Sequence, residues 1–412
     1  MTIGDQRGCA VMLNVDRIRR PLGRSDPLNP LVGFLASTLS AALARNGYYI
    51  ASAWTLVERG YGSAGVAILL AIVSVVEFVA SPLAGLAADR FDRRRLSVAS
   101  DLARCVLMLA TACALLYLDV FATICLSAVL FSVCDRVALT TSQSMIPGMA
   151  RGRDLVVSNS LVFFVMQFGN LGAALLAGPL LRDRSAALPF VVLAACFLVS
   201  AGFLALMRLD RDSTDVRVAK ISGTQIDRRL FRLSVVYGLL YASAVLVSVM
   251  GSSFVFQEMR GTAVDFGHLE AAWSVGSLIG AASLFRIEQA MSAHALHLLL
   301  LGLTALALMT LASLPTHWTV IVFAVLGFLY NLGRVSVEVT LQSRVSTSLL
   351  GRAKGAMHSV AVLLALFVFG IVALVGDRTF PSTIFFSFGV MVLISIPALS
   401  AGVVQLEEKG KS

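Results

Sequence analysis

The chain has 412 residues, 58% of them hydrophobic and 14% charged, with a formal net charge of +9 and a mean hydropathy of +0.85. Soluble proteins average about 45–50% apolar and about 25% charged residues, and burial grows only slowly with length, so this composition excludes a soluble globular protein. The arginines sit between apolar runs and form no stripe interleaved with aromatics, which excludes a nucleic-acid partner and leaves the lipid bilayer.

The first 30 residues carry Arg17, Arg19, Arg20 and Arg24 and are interrupted by Pro21, Pro27 and Pro30. No short apolar stretch with a small-residue cleavage site occurs there, so 1–30 is expected to be a cytoplasmic N-terminal segment and not a cleaved signal. A helix needs roughly 20 mainly apolar residues to cross the bilayer. Twelve such runs are predicted, at 31–55, 64–88, 96–117, 121–146, 155–180 and 187–207, then at 233–255, 266–285, 295–314, 318–342, 353–375 and 382–405. The one long polar connection, 208–232, reads as a cytoplasmic linker between a bundle over 31–207 and a second over 233–405, with 406–412 a cytoplasmic tail. The expected fold class is an all-α integral membrane protein with twelve transmembrane helices in two six-helix halves.

Loop charge sets the orientation. Arg59, Arg182, Arg184, Arg260 and Arg378 are the basic residues expected outside, and most of the 33 Lys and Arg fall on the other side. Both termini are therefore expected to be cytoplasmic. The six cysteines show no CxxC pair or zinc spacing, and most lie in apolar runs as small hydrophobes.

Between the second and third spans the chain reads GLAADRFDRRRL, Gly85 to Leu96, where six of the seven residues from Asp89 to Arg95 are charged. The pattern Gly85-x-x-x-Asp89-Arg90-x-x-Arg93-Arg94 closely resembles the loop 2–3 signature of the major facilitator superfamily. That resemblance implies a conformational-switch loop. Gly85 is expected to admit a neighbouring helix, and Asp89 to meet a helix end or an arginine across the two halves. Arg90, Arg93 and Arg94 are expected to stay at the lipid headgroups. A repeat supports two similar halves: Arg136-Val137 late in span four is echoed by Arg334-Val335 late in span ten, and Gln143 by Gln342.

The stretch Ser142 to Leu161, with Pro147, Arg151 to Asp154 and Ser158-Asn159-Ser160, is similar to the branch of the superfamily that holds enterobactin exporters and macrolide efflux proteins. Gly351 to Ser359 also resembles it. The span-five run of Gly169, Gly172, Gly178 and Pro179 departs in spacing from the glycine-rich antiporter motif, and Arg136 is followed by Val-Ala-Leu where that motif continues with glycine.

An ionisable residue at membrane depth is costly and functional by default. Arg45 lies roughly 21 Å from the inner end of span one and Glu77 roughly 16 Å from that of span two, at 1.5 Å per residue, which allows an ion pair. Glu77, Arg45 and Asp135 are the proton-coupling candidates, with a permanent Arg45–Glu77 lock as the alternative. Arg136 and its repeat mate Arg334 are candidates for the substrate cavity, where a guanidinium suits a carboxylate-bearing substrate. Glu338, one turn from Arg334, can neutralise it. Gln167, Asn170, Tyr237, Tyr241 and Asn331 could line the cavity or act as helix-packing contacts. Arg104 is expected to snorkel to the inner interface.

No GxxxxGK[ST] loop is present, which excludes a P-loop ATP-driven pump within this chain, and no nucleophile elbow or HExxH suggests an enzyme. His294 and His297 form an H-x-x-H without carboxylate or Cys companions, so no metal is expected. No cofactor is expected beyond a proton gradient. The expected activity is proton-coupled export of a small amphiphilic molecule, a siderophore or a drug, by a monomer in the inner membrane that rocks one half against the other. Proton-symport import and a transport-inactive sensor or scaffold are the alternatives.

Overall fold

Inside lipid every backbone donor and acceptor must be bonded within the protein, so long apolar runs fold as helices. A computed structural model describes residues 30–149, 155–182, 186–207, 228–288, 291–344 and 350–409. Twelve long helices run through it. The first six are α1 (Pro30–Glu58), α2 (Gly62–Arg90), α3 (Arg93–Tyr117), α4 (Val120–Met149), α5 (Leu155–Arg182) and α6 (Leu188–Leu206). The second six are α7 (Arg228–Ser253), α8 (Ala263–Glu288), α9 (Ala293–Thr310), α10 (Thr319–Arg344), α11 (Leu350–Val375) and α12 (Pro381–Lys409). Each contains its predicted span or most of it. Ten are long and apolar enough to cross a membrane. The other two, α1 and α8, are the helices that hold Arg45 and Glu270. The protein is a multi-pass membrane protein.

Residues 228–232, expected in the linker, begin α7 as helix. The rest of the linker, 208–227, and the N-terminal residues before 30 lie outside the described residues.

Local chemistry explains several helix ends. Gly60 (φ +89°) and Gly62 (φ +57°) adopt the left-handed backbone that turns α1 into α2. Asp92 caps α3, its side chain accepting from the Arg95 N–H at 2.8 Å. At the start of α8, Asp265 Oδ2 accepts from the Thr262 backbone N–H (2.7 Å) and hydroxyl (2.8 Å). These bonds hold the Asp265 carboxyl below the usual carboxylate range.

Close helix crossings fall at glycines. Gly276 and Gly280 of α8 meet the backbone oxygens of Ala324 and Phe328 in α10, and Gly327 meets that of Trp273. Without a hydrophobic drive between helices in lipid, such small-residue seams let backbones approach and pack. Helices α1–α6 form one half and α7–α12 the other, with α5 crossing α8 and α2 crossing α11 between them. At the end of the bundle marked by Gly62, a Cβ on Gly267 would lie 2.6 Å from Ala174 O and one on Gly178 2.7 Å from Val264 Cα. Trp54 of α1 stacks on Phe266 of α8 there, with centroids 5.8 Å apart. The Gly62 end is therefore sealed by contacts between the halves. The opposite end carries the linker.

Candidate functional site

A buried network of ionised groups crosses the first half. Arg45 of α1 donates from Nε to Asp135 Oδ2 of α4 at 2.7 Å. Arg104 of α3 donates from Nη1 to the other oxygen, Asp135 Oδ1, at 2.6 Å, and from Nη2 to Asp101 Oδ1. Ser200 of α6 donates to Asp101 Oδ2 at 2.5 Å and shares a 2.8 Å hydrogen bond with Ser37 of α1. The Arg104 guanidinium also lies 4.4 Å from the Phe197 ring centroid. Asp135 is fully buried, with Asp101 and Arg104 at 2% and 3% exposure. Charges at this depth persist because each carboxylate finds a guanidinium, and Arg104 bonds two carboxylates at once.

The network opens at Glu77. Its Oε1 sits 3.8 Å from Arg45 Nη2, too long for a hydrogen bond, and has no hydrogen-bond partner. The Arg45 and Glu77 side chains are 31% and 25% exposed, against none for Asp135, which makes them the accessible rim. Arg136, beside Asp135 on α4, lies within electrostatic reach of Glu77, and its buried Nε is also without a hydrogen-bond partner. Glu77 and Arg136 thus present one unused acceptor and one unused donor. A pocket of about 60 Å³ within the first half, lined by Phe34, Gln143, Met166 and Asn170 among others, reaches Arg45, Asp101 and Arg104.

In the second half Arg334 and Glu338 pair at 3.7 Å on α10, their side chains 42% and 32% exposed. Tyr237 and Tyr241 share a face of α7 with rings stacked at 6.3 Å, and His358 of α11 meets Tyr241 edge-on at 6.2 Å. The charges of Arg136 and Arg334 both reach His358, so the two halves converge on this exposed imidazole.

Several expectations need correction. Arg104 does not snorkel: it is buried between two aspartates, because its face of α3 turns toward α4 and α6. Asn331 does not line the cavity. It is 2% exposed and donates from Nδ2 to Ser277 O at 3.0 Å, joining α10 to α8. Gly85 admits no neighbour, since a Cβ there would meet nothing within 4 Å. Arg93 and Arg94 are also engaged by neighbouring helices. Arg93 Nη1 donates to Ser144 O at 2.9 Å, and Arg94 donates to Leu204 O at 2.9 Å and to Ala205 O, the last-turn carbonyls of α6. Arg90 is exposed. The Asp89 side chain lies outside the described residues. Gln167 and Asn170 are half-buried and bonded to each other at 3.1 Å.

Asp101, His358 and Glu270 had not been singled out from the sequence. Asp101 stands three residues before Arg104, a spacing that signals a helical pair. His297 is buried beside Ser336, 3.1 Å from its hydroxyl.

Residues 34–370 match the family described as Major Facilitator Superfamily. The chain belongs to the major facilitator superfamily. Among the relatives of this facilitator is the multidrug efflux pump Tap of Mycolicibacterium fortuitum, 25% identical over 354 residues, which span 81% of this chain and 85% of that one. Solved structures share the facilitator fold at low identity. The POT family transporter PepTSo aligns with a TM-score of 0.73 at 13% identity, covering 93% of this chain and 99% of that one. A bacterial homologue of the iron transporter ferroportin, in an inward-facing state, aligns at 0.72 and 18%, covering 91% and 100%. The nucleoside transporter NupG aligns at 0.70 and 14%, covering 91% and 99%.

Proposed function

We propose that this facilitator is a proton-coupled exporter of a small amphiphilic molecule, a drug or a siderophore, working by alternating access as a monomer. The observation that carries the reading is Glu77: a partly exposed intramembrane carboxylate at the rim of a buried ion network, with one oxygen unbonded. Protonation of Glu77 would release its hold on Arg45, while Asp135 keeps Arg45 anchored to α4. A proton can then come and go without dismantling the half. Both termini and the linker lie in the cytoplasm, with the chain in the inner membrane, by the distribution of Lys and Arg. On that orientation the sealed Gly62 end faces outward and the linker end faces the cytoplasm, where an export substrate loads.

Likeness to the efflux pump Tap supports export of a drug. The stretch from Ser142 to Leu161 supports the branch of enterobactin and macrolide exporters, which keeps a siderophore as the second substrate class.

Purified protein in liposomes tests the reading. An imposed pH gradient drives substrate against the proton flow for an exporter and with it for an importer. No flux at all would leave a sensor or scaffold.

A further inference from the structure

The described acids within the bundle differ in one respect. Glu77 faces Arg45, Asp101 faces Arg104, Asp135 faces both arginines, and Glu338 faces Arg334. Glu270 of α8 has neither a hydrogen bond nor an ion pair among the described residues. An unpartnered carboxylate inside a membrane protein is costly, and the cost is removed either by taking up a proton or by a bound cation.

Position favours a ligand. Glu270 stands seven residues after Ala263, roughly 10 Å along α8 at 1.5 Å per residue, and is half-buried. One turn toward the Gly62 end, Phe266 stacks on Trp54 of the other half, and Gly267 packs on Ala174 of α5. Those contacts form the seal, so Glu270 lies just beneath it, on the face of α8 turned to the first half. One turn toward the linker end is Trp273, half-buried and 5.7 Å from the Tyr330 ring. Phe266, Glu270 and Trp273 share one face by their spacing.

Among the described residues, the surrounding helices supply no unengaged positive charge beside Glu270. Helix α5 carries no ionisable residue from Leu161 to Leu181. Arg45 of α1 is engaged by Asp135, and Arg334 of α10 by Glu338. On α8 itself Asp265 is bonded to Thr262 and His268 is exposed.

We propose that Glu270, flanked by Phe266 and Trp273, is a recognition site for the positive charge of a lipophilic cation at the sealed end of the transport path. The carboxylate supplies the countercharge and the half-buried Trp273 a ring face for the cation, while Phe266, buried against Trp54, closes the site above. The proposal deepens the export reading by naming a substrate class, and it rests on that reading only for direction of movement.

Equilibrium binding to the detergent-purified full chain tests it with two probes of similar shape, the tetraphenylphosphonium cation and uncharged triphenylphosphine oxide. The wild type should bind the cation at least tenfold more tightly than the neutral probe. Glu270→Gln should weaken cation binding about tenfold and leave neutral binding within twofold, and Glu270→Asp should keep part of the preference. Equal weakening of both probes, an unchanged cation affinity in Glu270→Gln, or no cation preference in the wild type would overturn the proposal. If Glu270→Gln fails to fold, a Glu270→Asp variant with unaltered cation preference over a shortened reach, or a wild type without preference, overturns it. Cation binding without pH-driven flux in liposomes would sink the export reading while the site stands.

Discussion

Asp377, in the turn between α11 and α12, accepts hydrogen bonds from Ser63 Oγ at 3.1 Å and from the Ala64 backbone N–H at 3.2 Å. It therefore caps the first turn of α2, a helix of the opposite half, whose early N–H groups have no partner within their own helix. Under the proposed alternating access, such a cap between the halves would act as a latch, made when the Gly62 end closes and broken when it opens.

Removing it should favour the open state. Asp377→Ala loses a cap contribution of about 1 kcal/mol, roughly a fivefold shift in the equilibrium. The check is distance distributions between spin labels placed on the outer turns of the two halves. An unchanged closed fraction would show that the aromatic and glycine contacts hold the seal alone.

Asp135 is the hub of the buried network, joining Arg45 and Arg104. Asp135→Ala removes the acceptor shared by two guanidiniums and should destabilise the first half by about 3–5 kcal/mol. Asp135→Asn, which keeps one acceptor oxygen, should cost less. Thermal unfolding in detergent measures both, and a melting temperature within a degree of wild type for the alanine variant would argue against the hub.

Glu77→Gln keeps the shape of the side chain and removes its charge. Flux driven by a pH gradient should disappear, whereas substrate exchange without a gradient should persist. Full proton-driven flux in this variant would eliminate Glu77 as the coupling acid.

The charged turn after α2 can be tested in two parts. Asp89→Asn is expected to impair transport without loss of protein from the membrane; normal transport would reduce the loop to a determinant of topology. Arg94→Ala removes donors from the last-turn carbonyls of α6 and should lower stability by about 1 kcal/mol, with each lost net hydrogen bond of that order.

Glycine seams give the last prediction. Gly276 and Gly280 of α8 leave no room for a Cβ against the α10 backbone. Gly276→Leu should prevent α8 from docking on α10 and abolish recovery of folded protein. Gly85→Ala, with open space around it, should be recovered at wild-type levels.

Depth along each helix was readable from the chain, and direction around it was not. Arg45 and Glu77 fall at compatible depths by counting residues, and the structure brings them to 3.8 Å. The same counting places Arg104 near an interface without revealing that it faces Asp135, 31 residues later. Asn331 had the depth of a cavity residue but points into the α8–α10 seam. Glu270 could have been flagged as an acid inside a predicted span, yet its lack of a cation partner depends on what α1, α5 and α10 turn toward it.

The amino-acid sequence by itself determined the twelve long helices, the loop signature of the superfamily and the repeat linking Arg136 to Arg334. Each follows from local quantities: runs of apolar residues long enough for the bilayer, loop charge and short spacings. Only the tertiary structure decided which charges meet, which arginines cap helices and which end is sealed. Those outcomes depend on the rotation of each helix about its axis, and that rotation is set by glycine seams and buried ion pairs between residues far apart in the chain.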